Sequence, residues 1–188
     1  VKYGIFAGKG SELVLANLIY AQALYKHFKG DLEDSGLNEL VAAGRALAAN
    51  GHFDFRQVLD KFQAFMKAKG ADVSKHPSFR EAMAQLLLLG YLDLLVNGKG
   101  WTFKEVQSGE GRIDVLCCYG RQKEVVELKL WYGAQRYAAG LSQLAKYLDR
   151  EGLERGYLIV FDRRENVERE YSFSEHVVAG KKILAWVV

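Results

Sequence analysis

Gly111-Arg-Ile-Asp-Val-Leu-Cys-Cys-Tyr-Gly-Arg-Gln-Lys-Glu-Val-Val-Glu-Leu-Lys-Leu130 is the stretch on which the reading of this chain turns. A polar segment, Tyr119 to Lys123, separates two runs rich in Val, Leu, Ile and Cys, the pattern of two β-strands joined by a tight turn. Side chains alternate between the faces of a strand, so Ile113, Val115 and Cys117 share one face and Asp114 takes the other. In the second strand Val126, Leu128 and Leu130 share a face, and Glu127 and Lys129 share the opposite one. An aspartate, a glutamate and a lysine are therefore expected on one side of an otherwise apolar hairpin.

Such charges can simply line a solvated face, as in any antiparallel sheet with one wet side. The order here is more particular: Asp114, then about a dozen residues, then Glu127-Leu128-Lys129, then a helix carrying Gln143 and Tyr147. Two carboxylates a few ångströms apart repel unless one is protonated or a cation sits between them. A hard divalent cation with oxygen ligands suits that gap, and magnesium commonly takes one or two carboxylates plus phosphate oxygens. Lys129 can then orient or deprotonate a water and neutralise charge building up on phosphate.

With Asp114, the Glu127-Leu128-Lys129 tripeptide and Gln143-x-x-x-Tyr147 in this order, the chain resembles the PD-(D/E)XK nuclease superfamily. More narrowly, Ser108-Gly-Glu-Gly-Arg-Ile-Asp114 and the apolar helix before it are similar to the nuclease-like domain C-terminal to ATPase domains of the AAA type. The resemblance covers roughly residues 79 to 188, and departs in one place: Ile113 stands where a proline often precedes the aspartate. It implies a restriction-endonuclease-like core of helix, three-strand meander, helix and parallel strand in a mixed sheet. It also implies Mg2+ or Mn2+ on Asp114 and Glu127, aided by the Leu128 carbonyl, with Lys129 positioning water and Gln143 and Tyr147 supporting the site. Glu81, on the preceding helix, matches a position from which an acidic residue can join the metal. Read by itself, it is an ordinary first-turn residue that favours the positive helix end.

The remaining segments place that core. Val1 to Phe6, a Gly-Lys-Gly-Ser turn and Glu12 to Ala16 read as a short hairpin. The lysine of Ala7-Gly-Lys-Gly-Ser11 falls between the glycines, so the spacing of a Walker phosphate loop is not met. Asn17 caps a helical pattern from Leu18 to Phe28, and Ala16-Asn-Leu-Ile-Tyr20 is similar to a segment closing the winged-helix region of the same ATPase class. Leu37, Leu40, Val41, Ala43 and Leu47 make one helical stripe; after Asn50-Gly51, Asp54 or Phe55 opens a second with Val58, Leu59, Phe62, Phe65 and Met66 inward. Pro77, the single proline, marks a boundary after Lys69. The expected organisation is residues 1–30 as the tail of an upstream region, 31–76 as a helical subdomain and 77–188 as the nuclease-like domain.

A strongly apolar helix from Ser78 to Val96 should be buried nearly all round. Trp101 to Gln107 supplies the first strand and Ala134 to Glu151 a helix. Gly156 to Phe161 is a continuous apolar run, expected of a strand buried on both faces and parallel to its predecessor. Tyr171-Ser-Phe and Lys182 to Val188 read as a last strand with Gly180-Lys-Lys as its turn. The class is thus α/β with a mixed sheet, preceded by a helical region.

Composition sets outer limits. The 188 residues are 49% hydrophobic and 26% charged, the balance of a globular protein, and no apolar run is long enough to span a membrane. The net charge of +3 permits nucleic-acid binding without arguing for it. Adjacent Cys117 and Cys118 point to opposite faces, which favours free thiols in a reducing cytoplasm. A first residue other than Met suggests a piece of a longer protein. The expected function is a divalent-metal-dependent nuclease of DNA, in the first place, or RNA, joined to an upstream ATP-binding ATPase domain in one chain. Arg112, Lys146, Arg163 and Arg164 are the candidate nucleic-acid contacts. The alternative is a non-catalytic module that uses the same scaffold to bind nucleic acid or protein and to regulate the ATPase.

Overall fold

The computed structural model describes residues 6–9, 12–15, 53–74, 80–96, 100–109, 111–162, 164 and 171–188. The helices expected over 18–28 and 37–47 lie outside the described residues. The chain divides into two compact units, Val1–Ala42 and Ala43–Val188. In the first, β1 (Phe6–Lys9) and β2 (Glu12–Leu15) form the antiparallel hairpin read from the glycine-rich turn.

The second unit is a six-stranded mixed sheet with helices on both faces. Its strands are β3 (Gly100–Ser108), β4 (Gly111–Tyr119), β5 (Gln122–Leu130), β6 (Arg155–Phe161), β7 (Ser172–Val178) and β8 (Lys181–Val187). Their spatial order is β3-β4-β5-β6-β8-β7. β3, β4 and β5 make an antiparallel meander, β5, β6 and β8 run parallel, and β7 closes the far edge antiparallel to β8. The single last strand expected from the sequence is in fact a hairpin, with β8 inserted beside β6. The Ser172-Phe-Ser-Glu-His-Val sequence of β7 is half polar because it is an edge strand, and so carries no buried apolar run to betray it.

One face is covered by α1 (Phe55–Ser74) and α2 (Glu81–Val96). Asp54 caps α1, its Oδ1 accepting the Gln57 N–H at 3.2 Å. Val58, Leu59, Phe62, Phe65 and Met66 are all buried, as their spacing predicts. Rings dominate this layer: Phe55 meets Tyr157 at 4.8 Å between centroids, and Phe62 meets Tyr91 at 5.1 Å and Phe161 at 6.4 Å. Polar side chains fix the helix on the strands. Trp186 donates to Asp60 at 2.8 Å, and Gln63 donates to the carbonyls of Ser172 and Val187. The Gln122 amide both accepts from and donates to the backbone of Phe53. Ala84, Leu88, Leu92, Leu95 and Val96 of α2 are buried, but Leu86 is exposed, so this helix is covered on one side and not all round.

The other face is covered by α3 (Ala134–Arg150), whose Leu141, Leu144 and Leu148 pack on Val125, Leu158, Val160, Ile183 and Ala185. Gly156 permits this approach, since a Cβ there would lie 2.8 Å from Leu148 Cδ2. β6 is buried from Gly156 to Phe161 and lies parallel to β5, as its unbroken apolar run predicts. No helix among the described residues is long and apolar enough to cross a membrane. Removal of the Phe62 ring should destabilise the protein by about 3–5 kcal/mol, the usual cost of Phe→Ala in a core. Phe62→Ala should therefore lower the midpoint of urea unfolding sharply, whereas Gln57→Ala on the exposed side of α1 should move it little.

Candidate functional site

The antiparallel pairing of β4 with β5 runs from Tyr119↔Gln122 to Val115↔Val126 and stops there. The next rung would set Asp114 opposite Glu127. Instead the strands part, and side chains take over the backbone groups released. Leu128 N–H donates to Asp114 Oδ2 at 2.8 Å. Arg112 N–H and Asp114 C=O lie two residues apart and so point to the same edge of β4. The first donates to Tyr147 Oη at 3.1 Å, and the second accepts from Gln85 Nε2 at 2.8 Å. Tyr147, buried on α3, thus lies against the start of β4, and Gly111 makes room for it: a Cβ there would sit 2.6 Å from Tyr147 Oη.

Asp114, Glu127 and Lys129 come together in this fork on the face covered by α3. The Glu127 side chain is 0% exposed; its Oε1 accepts from Lys129 Nζ at 2.5 Å. Its Oε2 is buried with no hydrogen-bond partner. Gly140 of α3 lets the helix come close to Lys129, because a Cβ at this position would stand 3.1 Å from Lys129 Cγ. Gln143 Nε2 donates to Tyr147 Oη at 3.0 Å, so the pair expected to support the site does share one face and is tied to β4.

The electrostatics follow from burial. Glu127 is pushed up from 4.5 to about 8, first by burial and then by the Asp114 charge, which together outweigh the attraction of Lys129. Asp114 is also raised, chiefly by burial, although the Leu128 N–H and Lys129 oppose this. For Lys129, burial acts to lower the pKa, yet Glu127, Asp114 and Glu81 prevail and hold the ammonium charged. The lysine is surrounded by carboxylates, whereas the glutamate has one cation against complete burial and a neighbouring anion.

Glu81 lies exposed in the first turn of α2 and acts on all three groups through space. Glu105 of β3 was not singled out in the sequence. It adopts a left-handed φ of 51°, unusual for a residue with a side chain, and its charge also acts on Asp114. Gln85 was likewise missed. Neither carries a motif; both are brought in by the pairing of β3 with β4 and by the seating of α2. Among the described residues, no group of three or more His, Cys, Asp or Glu side chains is placed to hold a metal ion. A cation here would rest on two carboxylates, with backbone and water oxygens completing its shell.

Of the expected nucleic-acid contacts, Arg112 is exposed and pairs with Glu105 at 3.6 Å, and Lys146 is exposed on α3. Arg164 is engaged by Asp162 through several hydrogen bonds, with its guanidinium 5.3 Å from the Trp131 ring centroid. Arg163 lies outside the described residues. Cys117 and Cys118 are both free thiols.

The raised Glu127 value makes a prediction about stability. The unfolded chain sheds this proton at an ordinary glutamate pH, the folded chain only near pH 8. Between these values the folded state binds the extra proton, so stability should fall as pH rises and level off above about 8. Melting curves in chelator from about pH 5 to 9 should show this decline, and Glu127→Gln should remove most of it. A wild-type curve that climbs over the same range would contradict a protonated, buried Glu127.

No curated protein matches the chain. A family model, described as a domain of unknown function (DUF8371), matches residues 57–165, a span that contains α2, the fork and α3. With more than half of its length matched, the chain belongs to this family, DUF8371.

Proposed function

We propose that this protein is a divalent-metal-dependent nuclease, hydrolysing phosphodiester bonds of DNA or RNA on a restriction-endonuclease-like core of the PD-(D/E)XK kind. The observation that carries the reading is Glu127: a fully buried carboxylate with one oxygen on Lys129 and the other unpartnered, beside a second carboxylate in a forked sheet. A buried carboxyl group left half-satisfied is costly, and such cost is commonly kept where a ligand relieves it. Asp114 and Glu127 would hold Mg2+ or Mn2+, with the Leu128 carbonyl a further candidate oxygen. When bound, the ion would supply Lewis acidity toward a phosphate oxygen and toward water.

The chain's own groups have distinct tasks in this reading. Leu128 N–H fixes the rotamer of Asp114. Tyr147 and Gln85 hold β4 open at the fork through Arg112 N–H and Asp114 C=O, and Gln143 orients the Tyr147 hydroxyl. Lys129, held charged, is a hydrogen-bond donor for water or for a phosphate oxygen gaining charge. Glu127 must lose its proton to bind a cation. Metal affinity should therefore strengthen as pH rises toward about 8, by up to roughly tenfold per unit for one displaced proton. The proposal includes an ATPase domain upstream in the same chain and a cytoplasmic setting. A Gly-x-x-x-x-Gly-Lys-Ser/Thr motif encoded upstream would support the former.

Incubation with single- and double-stranded DNA and RNA, in Mg2+ or Mn2+ and in chelator, tests the activity. Metal-dependent cleavage is expected. Asp114→Asn should abolish both cleavage and the rise in melting temperature that manganese confers, while its remaining carbonyl oxygen still accepts the Leu128 N–H. Lys129→Met should keep the metal-induced rise yet lower kcat by about a hundredfold or more, as for loss of a transition-state donor. Absence of cleavage on every substrate, or a full manganese response in Asp114→Asn, would exclude the nuclease.

A further inference from the structure

β3 is an edge strand that carries large aromatic side chains into solvent: Trp101 is 73% exposed and Phe103 47% exposed. Their face is set by the register. Thr102 bonds to Asp93 of α2, so the even positions of β3 face α2. The odd positions face the other way, and Phe103 lies opposite Leu116, which belongs to the core beneath α3. α3 packs over β5, β6, β7 and β8. Trp101 and Phe103 thus project from the same face of the sheet as Asp114 and Glu127, at its open edge.

The positions along this edge are ordered. The Trp101 rung continues across β4 and β5 as Cys118 and Lys123, and the Phe103 rung as Leu116 and Val125. Beyond the Phe103 rung the β3–β4 pairing skips Glu105 and Asp114 and the β4–β5 pairing ends, so the fork with Asp114 and Glu127 opens directly after it. Successive side chains on one face of a strand are roughly 7 Å apart, a distance that an extended single strand spans with one nucleotide. Cations flank the row. Arg121 is exposed at the β4–β5 turn and Lys123 lies on the Trp101 rung, where it pairs with Glu151; Arg112 stands at the other end.

We infer that β3 is a stacking platform for a single-stranded nucleic acid, with successive bases on Trp101 and Phe103 and the next phosphate led to the fork. Aromatic side chains exposed on a sheet can be reached by unpaired bases, whereas the bases of a duplex are already stacked on each other. The flanking cations suit a polyanion, and an apolar protein partner would have to desolvate Glu105 and Asp114 at the end of the row. The assignment of a substrate class rests on the nuclease reading; the binding surface does not.

Fluorescence anisotropy of labelled oligo-dT, oligo-U and a hairpin duplex, with the whole chain in chelator, tests the platform. Tighter binding of the single strands is expected, and Trp101→Ala and Phe103→Ala should each weaken it by roughly tenfold, as for loss of one stacked base. Tryptophan fluorescence, to which Trp131 and Trp186 also contribute, should be quenched on binding in the wild type, and the quenching should be lost in Trp101→Ala. In Mg2+ the double variant should raise KM with kcat little changed. Unaltered single-strand affinity in the double variant, or tighter binding of the duplex, would overturn the platform. So would wild-type dimers that the double variant abolishes while nucleic-acid affinity stays the same, which would make the edge a self-interface. Trp101-dependent binding without cleavage would remove the nuclease reading and keep the platform.

Discussion

The parting of β4 from β5 after Val115↔Val126 is the constraint on which the site depends. A continued ladder would join β4 to β5 through backbone groups and would leave no opening. Buried backbone groups cannot be abandoned without cost. Arg112 N–H, Asp114 C=O and Leu128 N–H are each taken by a side chain: Tyr147 from α3, Gln85 from α2 and Asp114 from β4 itself. Helices on opposite faces of the sheet thus cooperate to keep one pair of strands apart, and Gly111 provides the space for Tyr147.

The fork also explains the state of the charges. Glu127 is fully buried at its mouth, and a carboxylate there is favoured as an anion only in so far as Lys129 or a further cation attends it. Gly140 allows α3 to close over Lys129, which excludes water and strengthens both the attraction of the ion pair and the repulsion from Asp114. The arrangement has one cation among carboxylates drawn from α2, β3, β4 and β5. A fold alone does not imply an activity. This charge pattern, joined on one sheet face to exposed aromatics, is what gives membership of an uncharacterised family a chemical direction.

The local periodicities determined much of this protein from sequence. Alternation in Gly111–Leu130 places Asp114, Glu127 and Lys129 on one face, the apolar run of Gly156–Phe161 marks a doubly covered strand, and the spacing of Val58, Leu59, Phe62, Phe65 and Met66 defines the buried side of α1. These features are legible because burial repeats with the period of the element itself. Gln143 and Tyr147 were legible as a pair for the same reason, being one helical turn apart. Only the tertiary structure decided where the ladder ends, because strand separation depends on what α2 and α3 insert and not on the strands' own pattern. It alone brought Glu105 and Gln85 to Asp114, inserted β8 inside β7, and left Leu86, Trp101 and Phe103 uncovered. Pairing across the sheet and coverage of its faces are set by contacts between residues far apart in the chain, and no local period records them.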